Sequence, residues 1–446
     1  MKKTDVVIVG GSAAGPVVAT TARKHYKDAS ITLIRKEKEG QVLVPCGIPY
    51  IFGTVGSPEK NIVPDAYLSA NNIDLVVDEV TSIDREKKFV TTSKGDSIGY
   101  EKLVLAIGST PVILPLPGVD LENFFFAKKE VDYLNGFLKA LEGVKDVVVI
   151  GGGFIGVEFA DELKKRGLNV TIVEILPHCL QLVFDEGFCI AAENKLKERS
   201  INLKTDSKAE AIVGEKKADG VKLASGETLK ADLVFMGIGA RANTELAQKA
   251  GLQIGEARGI WVDEYGRTSD KDIFAIGDCA EKRSFFTKKP SGLRLASIAT
   301  TEARIVGANL FKPKRRNEGV IGSFSTIIGD MGLGMAGLTE RAAREAGYDV
   351  VIGEAKAPDK HPGSMPGAKE LNVKLIFDKA SGEILGGQLY GGSTVGEIAN
   401  ILTALIQNRM KADEIVTFQF GSQPAWTSSP IVYPIVNAAE AAVSKL

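Results

Sequence analysis

The stretch Asp146-Val147-Val148-Val149-Ile150-Gly151-Gly152-Gly153-Phe154-Ile155-Gly156 decides the fold. An apolar, β-branched run of this kind suits a central parallel strand buried on both faces, and glycines spaced G-x-G-x-x-G mark a tight turn into a helix. The helix is expected to reach Arg166, with Gly167 as its C-cap, before a returning strand Asn169-Val170-Thr171-Ile172-Val173. Free backbone N–H groups and the helix dipole at such a turn hold a pyrophosphate. Glu174 ends the returning strand about 20 residues past the middle glycine, where a carboxylate takes a ribose 2′-hydroxyl and repels a 2′-phosphate. NADH is therefore expected over NADPH.

A unit of the same design opens the chain: Asp5-Val6-Val7-Ile8-Val9-Gly10-Gly11-Ser12-Ala13-Ala14-Gly15, a helix to about His25, and a strand over 31–34. It departs from the pattern twice. Ser12 replaces the middle glycine, and Arg35-Lys36 stands where the ribose-binding acid is expected. Ser is small enough for close backbone approach, while the missing acid leaves the ribose contact undetermined, with Glu37 or Glu39 as candidates. Downstream, Ile273-Phe274-Ala275-Ile276-Gly277-Asp278 is a short strand ending in Gly-Asp; Asp278 either meets a cofactor hydroxyl or caps the next helix.

The 446 residues are 44% hydrophobic and 25% charged, enough for several cores, and 55 basic against 56 acidic side chains leave a formal charge of -1. Without a basic block there is no counterion-release term for nucleic acid and no polybasic patch for lipid, so neither partner is expected. Met1-Lys2-Lys3 before the run 6–9 imitates a signal peptide, but Asp5 interrupts it and glycines end it, so a buried strand is expected. The apolar stretch 103–119 is broken by Gly108, Pro111, Pro115 and Pro117 and does not qualify as a membrane span. Cys46, Cys179, Cys189 and Cys279 have neither C-x-x-C nor metal-ligand spacing, which argues against a disulfide scaffold and a metal site and for a reducing cytoplasm.

In this order, the two glycine motifs and the Ala-Ile-Gly-Asp segment resemble the FAD-dependent pyridine nucleotide-disulfide oxidoreductases, over essentially the whole chain. The resemblance implies an α/β fold with two Rossmann-like dinucleotide-binding domains, for FAD and NAD, plus an α+β C-terminal dimerisation domain. The expected division is 1–110 and 244–317 for FAD, 111–243 for NAD, and 318–446 for dimerisation, with the charged Lys312-Pro313-Lys314-Arg315-Arg316-Asn317 as the last boundary. On the FAD side it implies contacts from Gly10, Ser12, Ala13, Ala14, Gly15, Arg35, Lys36, Val80, Ala106, Gly108, Gly277, Asp278, which binds the flavin's ribitol, and Ala296. On the NAD side it implies Gly151, Gly153, Phe154, Ile155, Gly156, Glu174 and Gly239. The runs 103–111 and 233–243 match the family's crossover strands.

Cys46 has no second cysteine before Cys179, which excludes a dithiol mechanism with two neighbouring sulfurs. Val44-Pro45-Cys46-Gly47-Ile48-Pro49-Tyr50 resembles the single-cysteine branch: coenzyme A-disulfide reductases, NADH oxidases and peroxidases, and NAD(P)H-dependent persulfide, polysulfide or sulfur reductases. A cysteine at a helix start gains thiolate character. The resemblance implies hydride transfer from NADH to FAD and electron transfer on to Cys46, which reduces a disulfide, persulfide, polysulfide or sulfur; Glu158 matches a family Glu that orients near flavin and nicotinamide. For the other three cysteines core packing is expected.

Departures narrow the branch. Ala13 stands where peroxidases and water-forming oxidases carry a His, and Ser364-Met365 stands where coenzyme A-disulfide reductases carry a Tyr pair, although Tyr433 offers another phenol. Small sulfur acceptors are thus favoured over a bulky disulfide, with coenzyme A kept as a further candidate ligand. The alternatives are an NADH oxidase reducing oxygen to hydrogen peroxide, and a non-enzymatic redox sensor, against which the intact nicotinamide motif argues. Alternating residues over 372–377, a strand over 384–389 and an apolar helix over 395–410 imply the C-terminal sheet, a homodimer interface, and the tail Gln423–Pro434 as a lining of the partner's active site in the family.

Overall fold

Val6, Val7 and Ile8 are fully buried because the strand that holds them, Lys2–Val9, has a parallel neighbour on each side: Val6 lies opposite Ile31 on one and Lys102 on the other. The computed structural model describes residues 2–446. They form two compact units.

The first unit contains the chain through Ile113, Phe126–Glu142 and Gly239–Val320. Its sheet runs Asp74–Val77, Ile31–Arg35, Lys2–Val9, Ser97–Leu105, Phe89–Thr92, Val80–Asp84, with Ile273–Ala275 added in parallel to Ser97–Leu105. Helices Ala14–His25 and Ala296–Asn309 pack on one another and share a core with Ile8, Leu33 and Phe274. The crossover strands Ser109–Pro111 and Ala240–Ala242 pair antiparallel.

The second unit contains Leu114–Phe125, Gly143–Ile238 and Ile321–Leu446. One sheet orders Asn202–Lys204, Asn169–Val173, Asp146–Ile150, Leu233–Met236 and Phe124–Phe126; Val149 pairs in parallel with both Ile172 and Phe235. The other is antiparallel, in the order Ser323–Ile328, Met331–Gly337, Ile384–Gly391, Glu370–Asp378, Val350–Pro358, with helices Val395–Gln407 and Pro434–Val443 packed on it.

Helix Phe154–Lys165 ends one residue before the expected Arg166, and Gly167 takes φ +80° just beyond it. Helix Val131–Ala140, inside the 111–243 segment, belongs to the first unit, where Phe137 lies 4.3 Å from Phe52; the C-terminal sheet shares a unit with 143–238. Among the described residues no helix is long and apolar enough to cross a membrane.

Candidate dinucleotide sites and the exposed cysteine

In the first unit the strand ends fix the turn. Gly10 takes φ +113°, a Cβ there would fall 2.1 Å from Ala106 O, and a Cβ on Gly15 would fall 1.9 Å from Gly10 O. Only glycine fits this crossing of strand and helix. The helix that follows, Ala14–His25, has no side-chain cap and no acid in its first turn, so its first N–H groups suit an anion. Gly277 stands against this helix start: a Cβ on it would meet the Ala14 and Ala299 Cβ atoms at 3.4 and 3.5 Å. Asp278 follows, accepting a hydrogen bond from Ser109 Oγ at 2.7 Å. Gly108 takes φ +70°, Ser12 is exposed, and Ala13 and Ala296 lie at uncapped helix starts. Small residues, free donors and a carboxylate thus converge, and they fit a dinucleotide with a polyol chain.

Arg35 departs from its expected role. Its guanidinium binds Asp65 through two 2.5 Å contacts and its Nε donates to Glu37 O, while its stem packs against Gly11. The side chain is 1% exposed. Arg35 is therefore committed to an internal pair, which leaves it no donor geometry for a ribose; Lys36 is exposed beside it. Val80 is buried in the core of the edge strand Val80–Asp84. A buried arginine at a strand end demands an acid, and Asp65 supplies it.

Cys46 is exposed, whereas Cys179, Cys189 and Cys279 are buried. Burial pushes the Cys179 and Cys189 thiols up to about 12 and Cys279 to about 11, which makes them inert. The expected helix start at Cys46 is two short 3₁₀ turns, Pro45–Gly47 and Pro49–Phe52, so an α-helix dipole does not act on this thiol. Its loop is clamped instead by Asn61, whose Nδ2 donates to Val44 O at 3.0 Å and whose Oδ1 would lie 2.1 Å from a Cβ on Gly47. No motif announced Asn61.

In the second unit Gly151 takes φ +110°, and a Cβ on Gly156 would fall 1.8 Å from Gly151 O. Gly153, the N-cap of helix Phe154–Lys165, has φ −75° and open space where a Cβ would be. The protein itself does not require that glycine, and the turn is open there to a closely approaching group. Glu174 is 9% exposed and accepts from Gly152 N–H at 2.5 Å and Leu176 N–H at 2.8 Å, which sets its carboxylate at the turn. These residues fit a nicotinamide dinucleotide. Phe154 stacks on Phe324 with centroids 5.4 Å apart and planes at 12°, and Ile155 is half-buried. Gly239, at φ +102°, falls in the first unit, ahead of the strand Ala240–Ala242.

Glu158, one turn into that helix, accepts a 2.9 Å hydrogen bond from Thr326 Oγ1. Burial pushes its carboxyl up to about 7, with Thr326 opposing and the Glu162 charge adding to the shift. Tyr433, the other phenol, is 8% exposed and stacks on Phe420 with ring centroids 4.1 Å apart.

The chain is similar to known proteins along its length. A family model described as pyridine nucleotide-disulphide oxidoreductase matches residues 4–303, and the dimerisation-domain model of the same family matches 323–430. An NADH oxidase of Methanocaldococcus jannaschii is 35% identical over 99% of both chains. An NAD(P)H coenzyme A polysulfide/persulfide reductase of Pyrococcus horikoshii is 31% identical, covering 93% of this chain and 94% of that one. The structure of an NAD-dependent persulfide reductase from A. fulgidus superposes with a TM-score of 0.92 at 32% identity, over 99% of this chain and 83% of that one. With both dinucleotide turns, the Gly-Asp turn and the exposed cysteine in place, the chain belongs to the FAD-dependent pyridine nucleotide-disulphide oxidoreductases.

Proposed function

We propose that this protein uses NADH to reduce a small sulfur acceptor, a persulfide, polysulfide or disulfide, through Cys46. The observation that carries this reading is the contrast among the four cysteines: one exposed, three buried with thiols held at 11 or above. FAD, when bound, supplies the two-electron relay between NADH and the cysteine. The turn at Gly10–Gly15 with Asp278 holds that flavin, and the turn at Gly151–Gly156 with Glu174 holds NADH. Glu158 orients at the reacting end and exchanges a proton near neutral pH. As thiolate, Cys46 attacks the sulfane sulfur of a persulfide, forming an S–S bond to Cys46 and releasing the thiol; two electrons originating in NADH then cleave that bond and free sulfide.

Ser364-Met365 leaves the coenzyme A disulfide without the paired phenols, which favours smaller acceptors. The exposed Trp426 and Ile431, at 73% and 87%, support burial in a homodimer, and an exposed thiol at Cys46 suits the reducing cytoplasm. A second reading, an NADH oxidase forming hydrogen peroxide, is favoured by the name of the M. jannaschii relative. Anaerobic stopped-flow separates the two. Protein reduced by one equivalent of NADH is mixed with inorganic polysulfide or with oxygen; faster flavin reoxidation by polysulfide is expected, and equal or faster reoxidation by oxygen would favour the oxidase.

A further inference from the structure

The Gly277–Asp278 turn rests on a buried ion pair that no dinucleotide motif contains. Lys282 and Glu302 are 3% and 6% exposed, and Lys282 Nζ lies 2.9 Å from Glu302 Oε2. The same Oε2 accepts the Gly277 N–H at 2.8 Å. Lys282 Nζ donates in addition to Gly277 O at 2.5 Å and Ala280 O at 3.0 Å. All three ammonium donors are thus spent, two of them on backbone carbonyls that bracket Asp278 and the third on the carboxylate that holds the Gly277 amide. Glu302 sits on helix Ala296–Asn309, whose Ala299 also meets Gly277.

Burying two charges costs several kcal/mol per ion, and an apolar pair of similar volume usually serves packing as well or better. The geometry accounts for the pair differently. It reaches backbone groups on both sides of Asp278, which an apolar pair cannot bind, in a turn where Gly277 adopts φ +70°. We propose that Lys282 and Glu302 are positioning residues that set Asp278 for the hydroxyl chain of the flavin. This rests on the placement of that chain at Asp278 proposed above.

The test is the FAD affinity of the full-length protein, measured by titrating the deflavinated chain, for wild type, Glu302→Gln, Asp278→Asn and the double variant. Glu302→Gln keeps an acceptor for the Gly277 N–H but removes the charge that holds Lys282, and is expected to weaken FAD about tenfold, with NAD⁺ affinity unchanged. In the Asp278→Asn background the same change is expected to add nothing, because it acts through Asp278. Wild-type affinity in Glu302→Gln, or losses that multiply in the double variant, would overturn the proposal. A Lys282→Met/Glu302→Leu variant keeps the question answerable if Glu302→Gln does not fold: it removes both buried charges together and should still fold, less stably than wild type because Gly277 and Ala280 lose their partners, yet bind FAD about tenfold more weakly, and undiminished affinity would overturn the positioning role. If Asp278→Asn itself binds FAD like wild type, the placement of the flavin fails, and the inference with it.

Discussion

Thr326 Oγ1 donates to Glu158 Oε1 at 2.9 Å across 168 residues of sequence. The bond ties the C-terminal sheet to the helix that begins at the second glycine turn, inside one compact unit. It stabilises the ionised form of a carboxyl that burial otherwise drives toward protonation.

The rate of NADH-dependent flavin reduction is therefore expected to follow a group near pH 7. Thr326→Val should move that inflection upward, and Glu158→Gln should abolish it; stopped-flow reduction across pH 5–9 reads both. Stability follows the same proton. The folded-state value lies above the ordinary 4.5, so the contribution is complete below that value and is lost as pH rises through about 7.

The two glycines of the second turn should separate fold from ligand. Gly156→Ala puts a Cβ 1.8 Å from Gly151 O, so the turn itself must shift and stability should fall. Gly153→Ala meets open space at an ordinary φ, so the melting temperature should stay close to wild type while NADH binding weakens about tenfold or more. Calorimetry with NAD⁺ titration checks the contrast, and FAD content should be unchanged in Gly153→Ala.

Glu174 should set the cofactor preference. Glu174→Ala is expected to lower kcat/KM for NADH about tenfold and to leave NADPH less affected, narrowing the ratio between them. Glu174→Gln can still accept from Gly152 and Leu176, so it should fall between wild type and alanine.

The Arg35–Asp65 pair should behave as a stability element. Removing the guanidinium leaves a carboxylate that is 9% exposed without its partner, and Arg35→Ala should cost about 3–5 kcal/mol in urea unfolding. The Arg35 hydrogen bonds hold the Asp65 carboxyl below its ordinary value of 3.8. The stability this carries is present above that value and is lost as pH falls further, so wild type should lose part of its advantage over Arg35→Ala in acid.

The strands and turns were legible because buried parallel strands demand apolar β-branched runs, and a pyrophosphate turn demands glycine where strand and helix cross; Gly10, Gly15, Gly151 and Gly156 meet that demand in both units. The partners of the charged residues were not legible. Thr326, Asp65 and Glu302 reach Glu158, Arg35 and Lys282 through tertiary packing, and spacing along the chain carries no trace of those pairs. The same holds for Cys46, whose motif was readable while the 3₁₀ turns and the Asn61 clamp behind it were not. Arg35 shows the same limit: it stands where the motif expects an acid, and the acid that pairs with it lies 30 residues on.

A cysteine-borne cycle is tested most directly by Cys46→Ser under anaerobic conditions. The variant is expected to retain FAD and to be bleached by NADH, while inorganic polysulfide no longer restores the oxidised flavin spectrum. Reoxidation by polysulfide at the wild-type rate in Cys46→Ser would contradict a role for Cys46 as the sulfur-reducing group.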